Sequence, residues 1–356
     1  MKLLIGWTEV NGYMAACWRE LLADPEIELL IVAGKPGSLL ANNSYCIDGF
    51  DDLPIRYLDP EQFHGRCIEN IANEFKPDVI CMPGWSFSGF RRLAFQKDFS
   101  NCRIVLASDN PFESSLRQRI GRFVLRRFLN RMDMVIVPGE RGWQLARYFR
   151  IPETKIRRGL YGIDFQRLAP SYAERETQNS EWPRKFLFVG RINRTKGVDI
   201  LLDAYQQYRR QVANPWELSL CGKGELEEQS NGIEGVTSHG FVQPEDLPRF
   251  FSSHGVFVLP SRRDAWPLVV SEACAAGLPV ICSNACGSAV ELVRPCYNGQ
   301  IVSNNDAAEL AGALRWMHSQ YDSLPAMGKR SQEMASPYSA QQWANRWRTY
   351  LQEVAA

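Results

Sequence analysis

The stretch Phe186-Leu187-Phe188-Val189-Gly190-Arg191-Ile192-Asn193-Arg194-Thr195-Lys196-Gly197 runs from an unbroken apolar tetrad into a glycine-bounded turn that carries three cations. An apolar run without alternation suits a strand covered on both faces, as in a parallel sheet. Val198–Gln211 follows with helical spacing, so the segment reads as a β-turn-α unit. Glycine lets backbone come close to a partner, Arg191 and Arg194 offer planar forks, and Lys196 offers a compact charge. Taken alone, the turn reads either as a diphosphate cradle or as a solvated basic loop.

The same succession of apolar run, turn and helix-like stretch recurs on both sides. Upstream it appears at Leu3–Trp7, Leu29–Ala33, Val79–Met82, Ile104–Ala107 and Met134–Val137, and downstream at Leu218–Cys221, Val256–Leu259 and Val280–Cys282. Between the two series lies Ser171-Tyr172-Ala173-Glu174-Arg175-Glu176-Thr177-Gln178-Asn179-Ser180-Glu181, whose polarity and flanking prolines read as a linker. The expected organisation is an N-terminal Rossmann-like domain over 1–170 and a C-terminal Rossmann-like domain over 171–335. A helix over 336–356 follows, with Trp343, Trp347, Tyr350 and Leu351 on one face, expected to pack back on the first domain. The fold class is α/β, two doubly wound domains facing a cleft. Ligands of such sheets bind beyond the carboxyl ends of the strands, which is where the chemistry is sought.

Composition narrows the choices. In 356 residues, 41 Lys and Arg balance 40 Asp and Glu, so no global charge calls for nucleic acid. The ten cysteines are scattered through apolar stretches rather than paired as in secreted modules, which suits a reducing cytoplasm. His64, His239, His254 and His318 stand in no ligand spacing, so metal catalysis is not expected. The N-terminal apolar run is too short for a signal peptide, and no segment offers the roughly 18 apolar residues of a membrane span. One local imbalance stands out. Leu116–Arg131 carries six arginines and no acid, interleaved with apolar residues at helical spacing. It reads either as a solvated helix face or as a basic amphipathic helix resting peripherally on the inner face of an anionic membrane.

A second chemical segment follows Val256–Leu259. Asp264 and Glu272 stand eight residues apart around Pro267, which suits a first helical turn. Asp264 then lies in a loop and Glu272 inside a helix whose first free amides, at Leu268 and Val269, suit a phosphate. Carboxylates accept hydrogen bonds from hydroxyl pairs such as those of sugars and ribose.

Gly190-Arg191 through Lys196-Gly197, Asp264 through Glu272 and Ala275-Ala276-Gly277-Leu278-Pro279-Val280 closely resemble the signatures of family 4 of the retaining GT-B glycosyltransferases. Gly287-Ser288-Ala289-Val290-Glu291-Leu292-Val293 and Asn298-Gly299 resemble its next stations. The resemblance implies a GT-B fold and transfer of a hexose from a nucleotide diphosphate sugar, with retention and without a metal. The acceptor would be a glycan, lipid-linked or small molecule, in cell-surface polysaccharide or glycoconjugate synthesis. The nucleotide sugar would be a substrate, and no cofactor is implied.

Carried over by position, Arg191 and Lys196 would hold and stabilise the departing diphosphate, with Gly190, Trp266, Leu268 and Val269 around the donor. Glu272 would take the ribose hydroxyls. Asp264 would contact the sugar near its reacting carbon; it is one methylene shorter than the usual Glu, and Trp266-Pro267 replaces a common Phe-Gly. In the first half, Asn11 and Gly12 follow the first strand at the station of a glycine-containing loop over phosphates and acceptor, or form a plain β-α turn. Asp109 stands where many relatives carry a sugar-facing His, and reads as a sugar or acceptor contact or as a turn cap. Trp85 is an acceptor platform or a packing residue. A nucleotide-sugar epimerase of the same fold and a noncatalytic nucleotide-sugar binder are the alternatives. A Rossmann oxidoreductase is disfavoured, because no Gly-x-Gly-x-x-Gly follows the first strand.

Overall fold

The computed structural model describes residues 1–35, 49–178 and 181–355. The chain divides into two compact units, Met1–Ile163 with Ala340–Ala356, and Asp164–Ser339.

Among the described residues the first unit is built on seven parallel strands: β1 (Lys2–Glu9), β2 (Glu28–Gly34), β3 (Ile55–Leu58), β4 (Val79–Pro83), β5 (Arg103–Ala107), β6 (Met134–Val137) and β7 (Ile156–Arg158). They lie in the order β3-β2-β1-β4-β5-β6-β7. Alternate side chains of β1 enter opposite faces. Leu3, Ile5 and Trp7 join one apolar core and Leu4 the other, which is why the strand reads as continuously apolar. The direction of strand progression reverses between β1 and β4, so the loops after these strands flank the switch point. The last helix, Ala340–Ala355, belongs to this unit. Its Trp343 and Trp347 are fully buried, stack at 4.6 Å, and donate their indole N–H groups to Leu160 O at 2.8 Å and Gly159 O at 3.2 Å. A buried Trp needs such a partner for its polar edge.

The second unit holds six parallel strands: β8 (Lys185–Val189), β9 (Glu217–Cys221), β10 (Val236–Ser238), β11 (Val256–Leu259), β12 (Val280–Ser283) and β13 (Gly299–Val302). Their order is β10-β9-β8-β11-β12-β13, with the reversal between β8 and β11. The loops carrying the two chemical segments are thus neighbours at one switch point.

The stretch expected to be a linker is not one where it is described. Pro170–Gln178 is a helix of the second unit, and Asn179 and Ser180 lie outside the described residues. Arg175 on this helix is almost wholly buried. Its guanidinium donates to the carbonyls of Phe251 and His254 and to those of Ala276 and Gly277, at 2.6–3.1 Å. These carbonyls end the helices Leu247–Ser252 and Leu268–Ala275, where acceptors lack intrahelical donors. The ring of Trp182 covers the cation at 4.6 Å. A polar composition therefore concealed an internal fastening.

Candidate active site

The loop from Gly190 to Gly197 leaves the end of β8 and is held from two sides. Ile192 N donates to Lys223 O at 2.9 Å, and Leu226 N returns a bond to Ile192 O at 3.0 Å. These bonds bring in a glycine loop after β9, Gly222-Lys223-Gly224, that the sequence reading did not include. Gly222 has φ +153°, and a Cβ there would stand 1.8 Å from Gly190 O. On the other side Gly197, at φ +73°, begins the Val198–Gln211 helix, and a Cβ there would fall 2.0 Å from Pro260 O. The segments after β8 and β11 therefore touch backbone to backbone, and only glycine fits between them.

Arg262 fastens that contact. Its amide donates to Thr195 O at 2.8 Å, and its guanidinium makes two bonds to the Asp199 carboxylate, at 2.6 and 2.8 Å, and another to Arg194 O. The Arg262 hydrogen bonds hold the Asp199 carboxyl below its ordinary range. Arg194 is a weaker presence, 70% exposed at its side chain and 3.9 Å from Asp199.

With the loop fixed, two cations differ in state. Lys196 Nζ pairs with Asp264 Oδ2, their side chains 20% and 13% exposed. Arg191 is exposed and has no hydrogen-bond or ion-pair partner for its side chain among the described residues. Asp264 is itself anchored, since its carbonyl accepts from Gly287 N at 2.9 Å.

Past Asp264 the chain turns at Pro267 into the Leu268–Ala275 helix, whose N-terminus has no side-chain cap. No backbone acceptor among the described residues takes the amides of Leu268 and Val269, which leaves the positive end of the helix open. Trp266 is buried, its ring 5.8 Å from that of Tyr338, so its indole is packing and not an open platform. The carboxylate of Glu272, in the second turn of the helix, accepts no hydrogen bond among the described residues. Burial pushes its carboxyl above the ordinary range, with Arg167 opposing and Asp164 adding to the shift. An ionisable acceptor left partly buried and unpaired is a costly arrangement that a hydroxyl-bearing ligand would relieve. Arg167 and Asp164 are further residues that the sequence gave no reason to choose, because their loop carries no motif.

In the first unit, Asn11 caps the Gly12–Leu22 helix by accepting from Met14 N at 3.3 Å, and its amide donates to Tyr13 Oη at 2.8 Å. Gly12 is not demanded by packing, for a Cβ there would meet nothing within 4 Å. Asp109 is exposed and accepts from Tyr161 Oη at 3.0 Å. Tyr161 in turn meets the rings of Trp7 and Tyr13 edge-on at 6.0 and 6.2 Å. Asp109 is thus held by an aromatic group that joins residues distant in sequence, and Tyr161 had no signal of its own. Trp85 is half-buried, 5.9 Å from the ring of Phe149. Of the histidines, His318 stacks on Trp216 at 4.9 Å and bonds Tyr208 at 2.7 Å, and His254 is buried against Phe250 O.

This arrangement of cations, open helix amides and carboxylates at the β8/β11 switch point coincides with a match to a family model over the second unit. Residues 173–334 match the model of the glycosyl transferases group 1 family. Among curated relatives, an uncharacterized glycosyltransferase of Haemophilus influenzae is 27% identical over 47% of this chain and 49% of its own. The sulfoquinovosyl transferase SQD2 of Arabidopsis thaliana is 26% identical over 77% of this chain and 56% of its own. The chain thus spans about half the length of these relatives. Among solved structures, HepE from Anabaena in complex with UDP superposes with a TM-score of 0.74 at 16% identity, over 99% of both chains. That likeness shows the fold to be GT-B. The group 1 match begins within the Pro170–Gln178 helix and contains every site residue named after β8.

Proposed function

We propose that the protein is a retaining glycosyltransferase that moves a hexose from a nucleotide diphosphate sugar to a glycan, lipid-linked or small-molecule acceptor. The observation that carries this reading is that the loop after β8 holds an anchored cation, Lys196 on Asp264, and an unpartnered one, Arg191, while the helix that follows Asp264 is uncapped at Leu268. The transferase names of its relatives and the UDP bound by HepE support the same direction.

In this reading the C1–O bond to the diphosphate breaks as the acceptor oxygen bonds C1 from the same face, and the acceptor's proton passes to the departing phosphate oxygen. Charge growing on that diphosphate is met by Arg191, Lys196 and the amides of Leu268 and Val269, which are oriented before the reaction begins. Asp264 contacts the sugar near C1 while keeping Lys196 in place, and Glu272 accepts from the ribose hydroxyls. Asp109, held by Tyr161, serves as a sugar or acceptor contact. Because fixed protein cations supply the positive charge, the reaction needs no metal.

The test is a screen of nucleotide sugars by thermal shift, where a ligand at a hundred times its Kd stabilises by about 2.7 kcal/mol. Product analysis with the stabilising donor follows, in excess chelator. Acceptor-dependent release of the nucleotide diphosphate, with an α-linked donor giving an α-linked product, is expected. Inversion, or turnover that stops in chelator and returns with a divalent ion, would overturn the mechanism. Release of nothing, or epimerised nucleotide sugar, would overturn the transferase reading.

A further inference from the structure

The arginine-rich stretch of the first unit is two consecutive helices, Leu116–Val124 and Arg126–Asn130, joined at Leu125. The second is anchored, with Phe128 and Leu129 buried. The first buries no residue at all. It is tied down by its polar side, where the Gln118 amide donates to Pro111 O at 2.7 Å and accepts from Glu113 N at 2.9 Å. Gly121 lies close to the Phe149 ring on that same side. The apolar side chains point away. Leu116, Ile120, Phe123 and Val124 are 70%, 55%, 75% and 72% exposed. Together with Phe95 they make up five of the seven large apolar side chains exposed among the described residues, so this is a concentration and not scatter.

The charge carried by these two helices is of one sign. Arg122 lies over the Tyr148 ring at 5.3 Å and Arg127 over the Phe95 ring at 5.4 Å, each fixed without being neutralised. Arg131 pairs with Asp133 at 3.4 Å. The side chains of Arg117, Arg119 and Arg126 have no hydrogen-bond or ion-pair partner among the described residues. A convex helix that buries nothing of its own, with large apolar side chains flanked by unneutralised guanidinium groups, has the chemistry of an interfacial anchor. The apolar groups enter the boundary of headgroups and acyl chains while arginines meet lipid phosphates. A second copy of this chain is a poor occupant, because self-association would bring the same cations face to face.

We infer that the Leu116–Val124 helix, with Arg126 and Arg127, docks the protein on an anionic lipid bilayer. None of these side chains is among those assigned to sugar transfer, and binding is measured without donor, so the two readings stand or fall separately.

The test is flotation of the full chain with vesicles of phosphatidylcholine alone or mixed with phosphatidylglycerol. Binding to anionic vesicles is expected to be about tenfold stronger or more, and to weaken as salt is raised. The triple change Arg117→Glu, Arg119→Glu and Arg126→Glu should abolish it. The pair Phe123→Ser and Val124→Ser should reduce it severalfold at low salt while leaving circular dichroism and thermal unfolding unaltered, since neither side chain is buried. Equal binding to neutral and anionic vesicles, or anionic binding indifferent to both sets of changes, would overturn the inference. So would sedimentation showing a dimer that the Ser pair dissolves, which would make the patch an interface between copies.

Discussion

Lys196 and Asp264, 68 residues apart in sequence, are joined as one ion pair at the β8/β11 switch point. Their roles are therefore linked. Neutralising the acid releases the lysine for the phosphates, whereas removing the lysine leaves a partly buried carboxylate to repel them. Lys196→Ala is expected to weaken nucleotide diphosphate binding about ten- to a hundredfold, the range of a charged hydrogen bond. Asp264→Asn is expected to bind it at least as tightly as the native protein while losing turnover, because its contact with the sugar strengthens toward the transition state. Calorimetry beside steady-state rates gives both quantities. Equal weakening by the two substitutions would show that the pair acts only as a scaffold.

Glu272 should display opposite effects on stability and binding. Its folded carboxyl is raised by burial, so the stability it contributes is present below the ordinary range and is lost as pH rises through the folded value. At neutral pH the charged form is thus a cost, and Glu272→Gln is expected to raise Tm there. The same change should weaken nucleotide diphosphate binding about tenfold, because the ribose hydroxyls donate best to a carboxylate. Thermal unfolding and calorimetry at pH 7.5 are the measurements, and a lowered Tm would count against a partly buried, unpaired acid.

Arg262 touches no ligand in this account, yet it fastens the cation loop through Asp199, Thr195 and Arg194. Arg262→Lys keeps the charge but not the fork. It should raise the donor KM severalfold with little change in kcat, since the loop that places Arg191 and Lys196 loosens before the reaction. An unchanged KM would mean that the glycine contacts hold the loop alone.

His254 makes the second unit sensitive to acid. Burial lowers its imidazole from 6.5 to about 4, and its Nδ1 bonds Phe250 O at 2.7 Å. The unfolded chain binds a proton that the folded one refuses, so stability is expected to fall as pH drops from 6.5 towards 4, by about 3 kcal/mol at most. His254→Gln should flatten that dependence in urea titrations across the range. An unaltered slope would place the acid sensitivity elsewhere.

The central strands and the order of chemical segments were legible because buried parallel strands are unbroken apolar runs, and because turns that approach a ligand need glycine and fixed charge. The edge strands were less so. Ile55–Leu58, Ile156–Arg158 and Val236–Ser238 are short, partly exposed and interrupted by Arg or Thr, so their pattern is that of a loop. Pro170–Gln178 misled for the converse reason, since Arg175 is polar by composition but is consumed by carbonyls at two helix ends.

By itself the sequence determined the local chemistry, namely which residue types follow β8 and β11 and where the backbone must be glycine. Spacing along a chain specifies which side chains share a turn. It does not specify which partners from other strands they meet, because those are chosen by sheet order and packing. Only the tertiary structure decided that Lys196 is spent on Asp264 while Arg191 is free, that Trp266 is packing, that Asp109 is held by Tyr161, and that Arg262 joins the two loops.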